Sequence, residues 1–449
     1  MDSWLIKNAR IMDPSRPGDS GREELGDLRI VDGVIAEIGR NLPVGDGSGA
    51  DNDGGAVINA DGLICAPGLV DIHVHLRDSG IGDGGQPQKE DMFSGTAAAA
   101  AGGITSLCCM PNTVPPADSP EVLQAIRSKA TAANVRVYPA AAVTIGQNGE
   151  RLTDFEALKA AGAAALSDDG RPVPSADLME QAMRRAKEVG LPLLSHCEEL
   201  SLVRGGIMHE GTVSQALEVP GIARAAEEVA VAREIALAAA TGCPVHICHV
   251  STAGAVALIR DARRRGVPVT AETAPHYLLA THELLEQRDA DYRMNPPLRE
   301  AADAEALITG LQDGTLTVIA TDHAPHAAEE KADFLTAPPG VTGLETALAA
   351  CMTALVVPGK LPLRRLLELM STEPARLLGI PAGTLTIGAP ADIILFDPKE
   401  SWVVHPSKLR SRGRSTALKG LRLNGSVKMT LVGGRVVYQI RRSRIDFTL

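Results

Sequence analysis

Residues 63–76 read LICAPGLVDIHVHL, an apolar run that closes on two histidines spaced two apart. Seven further runs of the same kind follow: GITSLCCMP (103–111), VRVYPAAAV (135–143), AAALSDD (163–169), LPLLSHCE (191–198), CPVHICHV (243–250), VPVTAETAPH (267–276) and TLTVIATDHAPH (315–326). Each is short and rich in aliphatic or β-branched residues, as a buried strand is. Between them lie stretches such as SADLMEQAMRRAKEVG (175–190) and AREIALAAATG (232–242), whose apolar residues recur at helical spacing and which stop at glycine. Strands that alternate with helices pair in parallel through right-handed crossovers. Eight such units predict an α/β protein built on a (β/α)8 TIM-type barrel; an open doubly wound sheet is the other architecture the alternation can build.

Outward from this middle the style changes. WLIKNARIM (4–12) and LRIVDGVIAEIG (28–39), broken from the barrel by GDGSGADNDGG (45–55), read as hairpin strands, and so do ADIILFDP (391–398) and SVKMTLVGGRVVY (426–438). Two β-rich ends can pair across a compact unit, which predicts a small discontinuous β-sandwich domain from residues 1–61 and 380–449, flanking a barrel over 62–379.

The whole chain has 449 residues, 45% hydrophobic, 22% charged and only 2% aromatic, with a formal net charge of −11. The scarcity of aromatic rings argues against a base-stacking platform, and the acidic balance argues against broad phosphate binding. No nucleic-acid or membrane partner is expected, and the balance favours chemistry on a small molecule. Seven cysteines form no CxxC pair, and no uninterrupted apolar stretch reaches membrane-spanning length, which predicts reduced thiols in a cytoplasmic protein.

His73 and His75 fall on one face of a strand because side chains alternate. An HxH pair alone is weak evidence; its company is not. Asp168 and Asp169 close the fourth run, His196 the fifth, His249 the sixth and Asp322 the eighth, and in a barrel all such ends converge on one mouth. Three or more imidazoles with carboxylates suit zinc or a similar divalent ion, and a bridging carboxylate can hold two ions about 3.5–4 Å apart. Cys108 and Cys109 face opposite ways in a strand and are expected to pack. His246 is out of register with His249 and is expected to hydrogen-bond in the interior, whereas His276 and His323 stand near the mouth.

DIHVHLRDSG (71–80), MPNT (110–113), SDDG (167–170), SHCEE (195–199), CHVST (248–252), MNPPLR (294–299) and ATDHAPHAAEEK (320–331) together resemble the dihydroorotases of the amidohydrolase superfamily, in their longer bacterial type. GTLTIGAPADIILFDP (383–398) extends the resemblance to nearly the whole chain. It implies reversible hydrolysis of (S)-dihydroorotate to N-carbamoyl-L-aspartate with zinc, two ions per subunit: His73 and His75 on one ion, His196 and His249 on the other, Asp169 between them. It implies Asp322 as ligand and general acid/base, and Arg77, Asn112, Asn295 and His326 as substrate contacts, with Pro339 and Gly340 in a loop (338–342) against the ring. It also implies a homodimer or an aspartate carbamoyltransferase complex as assembly states. Hydantoinases and allantoinases, many of which carry a carboxylated lysine as the bridge, are rivals; no lysine ends the fourth run here. A non-catalytic subunit would be expected to lose ligands, and all stand. Two departures are visible. The family's RxPG appears as RDSG followed by IGDGGQPQ (81–88), and its asparagine-threonine-proline element appears as STALKG (415–420), a change expected to concern the small β domain and not the metal site.

Overall fold

The computed structural model describes residues 3–16, 24–44, 56–81, 85–440 and 447–448; GDGSGADNDGG and residues 82–84 of the insertion lie outside them. Eight parallel strands pair in chain order: Leu69–Val74, Ile104–Cys109, Arg136–Ala141, Ala165–Leu166, Leu193–Ser195, Val245–Ile247, Val269–Thr273 and Val318–Ile319. A parallel bridge between Val74 and His323, with the His75 amide donating to the His323 carbonyl at 2.8 Å, joins the last strand's end to the first. The Asp71 carboxylate spans the same seam by accepting from the Thr321 amide and hydroxyl. The architecture is therefore a TIM-type barrel, with its alternating helices outside. Two of the helices stop where glycine allows a left-handed residue: Gly190 (φ 67°) ends Ala176–Val189 and Gly242 (φ 64°) ends Arg224–Thr241.

The barrel interior is filled by small and aliphatic side chains, among them Val70, Ile72, Cys108, Ala140, Ala165 and Leu194. This is how a chain with so few aromatic residues packs a barrel: the interior of eight closed strands leaves room for little more. Cys109, next to Cys108, faces the other way into the layer between strands and helices, and all seven cysteines are free and buried.

Both chain ends contribute to one nine-stranded, β-rich sheet. Ile64–Pro67 stands at its centre, parallel to Trp4–Ile11 and antiparallel to Ile393–Val403. Its strands enclose their own core, with Ile6, Leu28, Ile30, Ile58, Ile393 and Met429 fully buried. The stretch 63–76, read above as one strand, is thus two: Ile64–Pro67 belongs to this sheet and Leu69–Val74 to the barrel, with Gly68 passing the chain from one to the other. Periodicity cannot detect such a break, because both halves are buried and equally apolar. Only glycine fits there, since a Cβ at position 68 would lie 2.1 Å from Thr105 Oγ1 and 2.2 Å from its Cγ2. Gly68→Ala is expected to destabilise the protein by about 1–3 kcal/mol through this overlap, read as a lower urea midpoint at unchanged slope.

Candidate metal centre and active site

Every proposed ligand lies at or just beyond the C-terminal end of a barrel strand. His73 lies within the first strand's last turn and His75 just past it; Asp169 is three residues beyond the fourth strand, His196 one beyond the fifth, His249 two beyond the sixth and Asp322 three beyond the eighth. Position along the strands brings residues 249 places apart in sequence to one mouth.

Asp169 lies at the centre. Its Oδ1 is 3.2 Å from His73 Nε2, 3.3 Å from His196 Nδ1 and 3.6 Å from His249 Nε2, and its Oδ2 is 3.3 Å from His75 Nε2. Two groups able to hold an ion share this carboxylate: His73, His75 and Asp169, and Asp169, His196 and His249. Despite these distances, His73 Nε2 and Asp169 Oδ1 are buried and make no hydrogen bond to each other or to anything else among the described residues. Lone pairs aimed at common points and not at partners are what a ligand set requires, so the residues fit divalent ions with nitrogen and oxygen donors. The electrostatics agree. Burial would raise the Asp169 carboxyl, yet His73 first, and then the imidazoles of His196 and His249 beside it, hold it well below the usual range. Burial opposes charge on His196 too, yet Asp169 and Glu198 push it up to about 10. Asp168 has another task. It accepts from the Val143 and Thr144 amides and the Thr144 hydroxyl, tying the third strand's end to the fourth's, and burial raises its carboxyl to about 7.

The outer ring nitrogens of the first pair are fixed from behind. His73 Nδ1 donates to Glu272 Oε1 at 2.7 Å, and His75 Nδ1 donates to Asn112 Oδ1 at 2.9 Å, which leaves both Nε2 atoms with their lone pairs facing the centre. Asn112, expected to meet substrate, thus orients a ligand. Glu272 was not singled out in the sequence: a glutamate inside an apolar strand gives no pattern of its own. Its second oxygen accepts from His246 Nε2 at 3.1 Å, and His246 Nδ1 meets the Thr270 hydroxyl, so His246 is the interior hydrogen-bonder its register implied. Glu198 was also passed over; it stands between His196 Nε2 (3.3 Å) and the Asn295 amide (3.0 Å).

Asp322 Oδ1 lies 3.2 Å from His75 Nε2 and 3.6 Å from His73 Nε2. Asp322, His249 and Arg77 all adopt left-handed backbone (φ 47°, 34° and 57°), a cost that non-glycine residues bear where the surrounding structure dictates their direction. The Arg77 guanidinium makes no hydrogen bond to a described residue, and its Nε is buried without a partner. The loop after it needs no proline: the Arg77 carbonyl accepts from Gln86, and Asp78 accepts from the Gly80 and Met92 amides and pairs with Lys129 at 2.7 Å. His276 stays neutral, lowered to about 4 by burial, with its Nε2 unpartnered. His323 bonds away from the centre, to Glu90 and to the Gly343 amide.

His326 Nε2 donates to the Pro339 carbonyl at 3.0 Å, leaving Nδ1 a buried acceptor without a hydrogen-bond partner, as is Asn295 Oδ1. Gly340 spends its amide on the Arg293 carbonyl. This loop is gripped from the chain's far end: the Thr342 amide and hydroxyl both donate to the Ser415 carbonyl, Gly413 packs on Pro325, and Ser411 bonds the Glu90 that holds His323. The segment containing STALKG therefore supports the 338–342 loop at the mouth of the barrel as well as the sheet it springs from. The long connection between Ile393–Val403 and Arg422–Val432 is free to cross onto the barrel, which no local pattern reveals.

Glu272→Gln offers an acceptor to one imidazole and an amide to the other, so one of the two bonds is lost. Affinity for a divalent cation is expected to fall about 10- to 100-fold, measured by competition with a chromophoric chelator, with the fold retained.

A family model described as dihydro-orotase-like matches residues 62–255. A dihydroorotase of Citrifermentans bemidjiense is 46% identical over 437 residues, covering 97% of this chain and 99% of the relative. A dihydroorotase of Pelotomaculum thermopropionicum is 47% identical over 439 residues with the same coverage. Among solved structures, L-hydantoinase (dihydropyrimidinase) from Arthrobacter aurescens superposes with a TM-score of 0.84 at 26% identity, covering 98% of this chain and 96% of that one. A dihydropyrimidinase from Brevibacillus agri gives 0.82 at 25% identity, covering 99% and 96%. With a (β/α)8 barrel, a β-rich unit from both chain ends and these full-length relatives, the chain belongs to the dihydroorotase family.

Proposed function

We propose that the chain catalyses the reversible hydrolysis of the cyclic amide of (S)-dihydroorotate to N-carbamoyl-L-aspartate, with His73, His75, Asp169, His196 and His249 holding two divalent ions, zinc foremost. The observation that supports this reading most is Asp169, one buried carboxylate shared by two ligand groups. Ions held there supply Lewis acidity and lower the pKa of water at the site.

The chain's own residues do the rest. His73, and then His75 and His249, hold the Asp322 carboxyl below its usual range although it is fully buried, so it rests as an ionised acceptor. It takes a proton as water adds to the ring carbonyl and delivers one to the leaving ring nitrogen. Arg77, a guanidinium with no hydrogen-bond partner among the described residues, grips the substrate carboxylate through two parallel hydrogen bonds. Asn295 Oδ1 and the neutral His326 Nδ1 are acceptors for ring N–H groups. Burial, Arg77, Lys89 and Lys331 lower His326 to about 3, so it accepts and does not donate at Nδ1. Pro339 and Gly340 bound the ring by shape. Asn112 acts through His75.

A hydantoinase is the second reading, favoured by the fold of the solved neighbours. It leaves Arg77 without a carboxylate to bind and places an aspartate where such enzymes would be expected to carry a modified lysine. Among the described residues no helix is long and apolar enough to cross a membrane. Free, buried cysteines suit a reducing compartment, and we place the enzyme in the cytoplasm.

Turnover of dihydroorotate by the purified protein, lost on chelation and restored by zinc or a similar ion, tests the reading; faster turnover of hydantoin or allantoin would replace it. Asp322→Asn is expected to keep its fold and most of its metal. It should lose at least about 100-fold in kcat for ring opening and ring closure alike. Metal lost in proportion to activity would instead make Asp322 chiefly a ligand.

A further inference from the structure

Lys331, the last residue of ATDHAPHAAEEK, is 8% exposed, and no carboxylate among the described residues lies within ion-pairing distance of it. Its ammonium spends all three protons on backbone carbonyls: Arg293 at 3.0 Å, Pro338 at 3.1 Å and Gly340 at 3.1 Å. The Gly340 amide returns a bond to the same Arg293 carbonyl at 3.0 Å. A charged donor that answers three carbonyls in a buried place locks the segments bearing them, because no water is there to replace it. Those segments carry the substrate-facing groups. Arg293 is two residues from Asn295, and the loop gripped at 338 and 340 presents the Pro339 carbonyl that fixes the His326 tautomer.

We propose that Lys331 is a positioning residue for substrate binding, an ammonium clamp that sets Asn295 and His326 by locking residues 293–295 to the 338–340 loop, without touching the metal ligands. This rests on the reading of Asn295 and His326 as substrate-binding residues. Burial lowers the ammonium to about 8, against Asp291 and Asp289 and with Arg293 opposing charge; Glu330 and His326 are the other titratable groups facing it. The clamp therefore loses its proton in a range where His326 has long been neutral.

Lys331→Met and Lys331→Arg, each purified with its metal, test this. For Lys331→Met, KM for dihydroorotate should rise at least about tenfold, kcat should change less than KM, and metal content should match the parent. Lys331→Arg, which keeps a cation with several donors, should recover part of the loss. In the parent, KM should rise between about pH 7 and about pH 9.5 as the ammonium deprotonates, and Lys331→Arg should show no such rise. Hydrogen exchange of the 336–343 peptide should quicken in Lys331→Met whatever the substrate. A folded Lys331→Met protein with parental KM and parental exchange overturns the clamp. If that variant does not fold, a flat parental KM across the same pH range overturns it. A parent that does not turn over dihydroorotate defeats the functional reading, and the exchange measurement still decides the clamp.

Discussion

One buried carboxylate surrounded by four imidazoles sets the terms for the rest of the molecule. Asp169 lies within 3.6 Å of His73, His196 and His249 and 3.3 Å from His75, away from water. Nitrogen and oxygen lone pairs packed so closely repel unless a cation or protons stand among them. The barrel answers by drawing the contributors from four strand ends, with His73 and His75 together on the first, so that no single loop can relax the arrangement. Strands held by parallel ladders and closed at the Val74–His323 seam fix all five of these positions at once. Left-handed backbone at His249 and Asp322 is the local cost of aiming those side chains inward.

A hierarchy follows from that constraint. Ring orientations at the centre are held by Glu272 and Asn112, and Glu272 in turn by His246, so the order of the site reaches into the barrel interior. On the substrate side the order comes from elsewhere. Lys331 ties carbonyls of two segments, and Ser411 and Ser415, rooted in the sheet of the chain ends, secure Glu90 and Thr342. The β-rich unit is therefore part of the machinery that shapes the mouth. In an acidic protein, the Arg77 guanidinium stands where the backbone turns off the first strand, with no hydrogen bond to a described residue.

Much of this was legible from residues alone. Period-two alternation put His73 and His75 on one face, and the recurrence of ionisable residues at the ends of apolar runs exposed Asp168, Asp169, His196, His249 and Asp322, with the resemblance singling out Asp169 of its pair. The alternation of strand and helix, with glycine stops at 190 and 242, exposed the barrel. Other elements were not legible. Glu272 and Lys331 gave no signal because a single charged residue in a strand or a loop reads as solvated until its burial is known. The break at Gly68 was hidden between two buried strands of like composition. Asn112 looked like a turn residue or a substrate contact, and its partner proved to be a ligand imidazole.

The sequence by itself determined the class of fold and the gathering of imidazoles and carboxylates at one end of the strands, because strand periodicity and residue type are local properties written along the chain, and its resemblance to the dihydroorotases supplied the assignment of those residues as ligands. Tertiary structure alone decided which carbonyls Lys331 binds, which imidazoles Glu272 joins, and that residues 411–415 brace a loop at 338–342. Those contacts link segments up to 321 residues apart, such as Ser411 and Glu90. Their existence depends on how the barrel and the chain-end sheet lie against each other, a matter of three-dimensional packing that no spacing along the chain encodes.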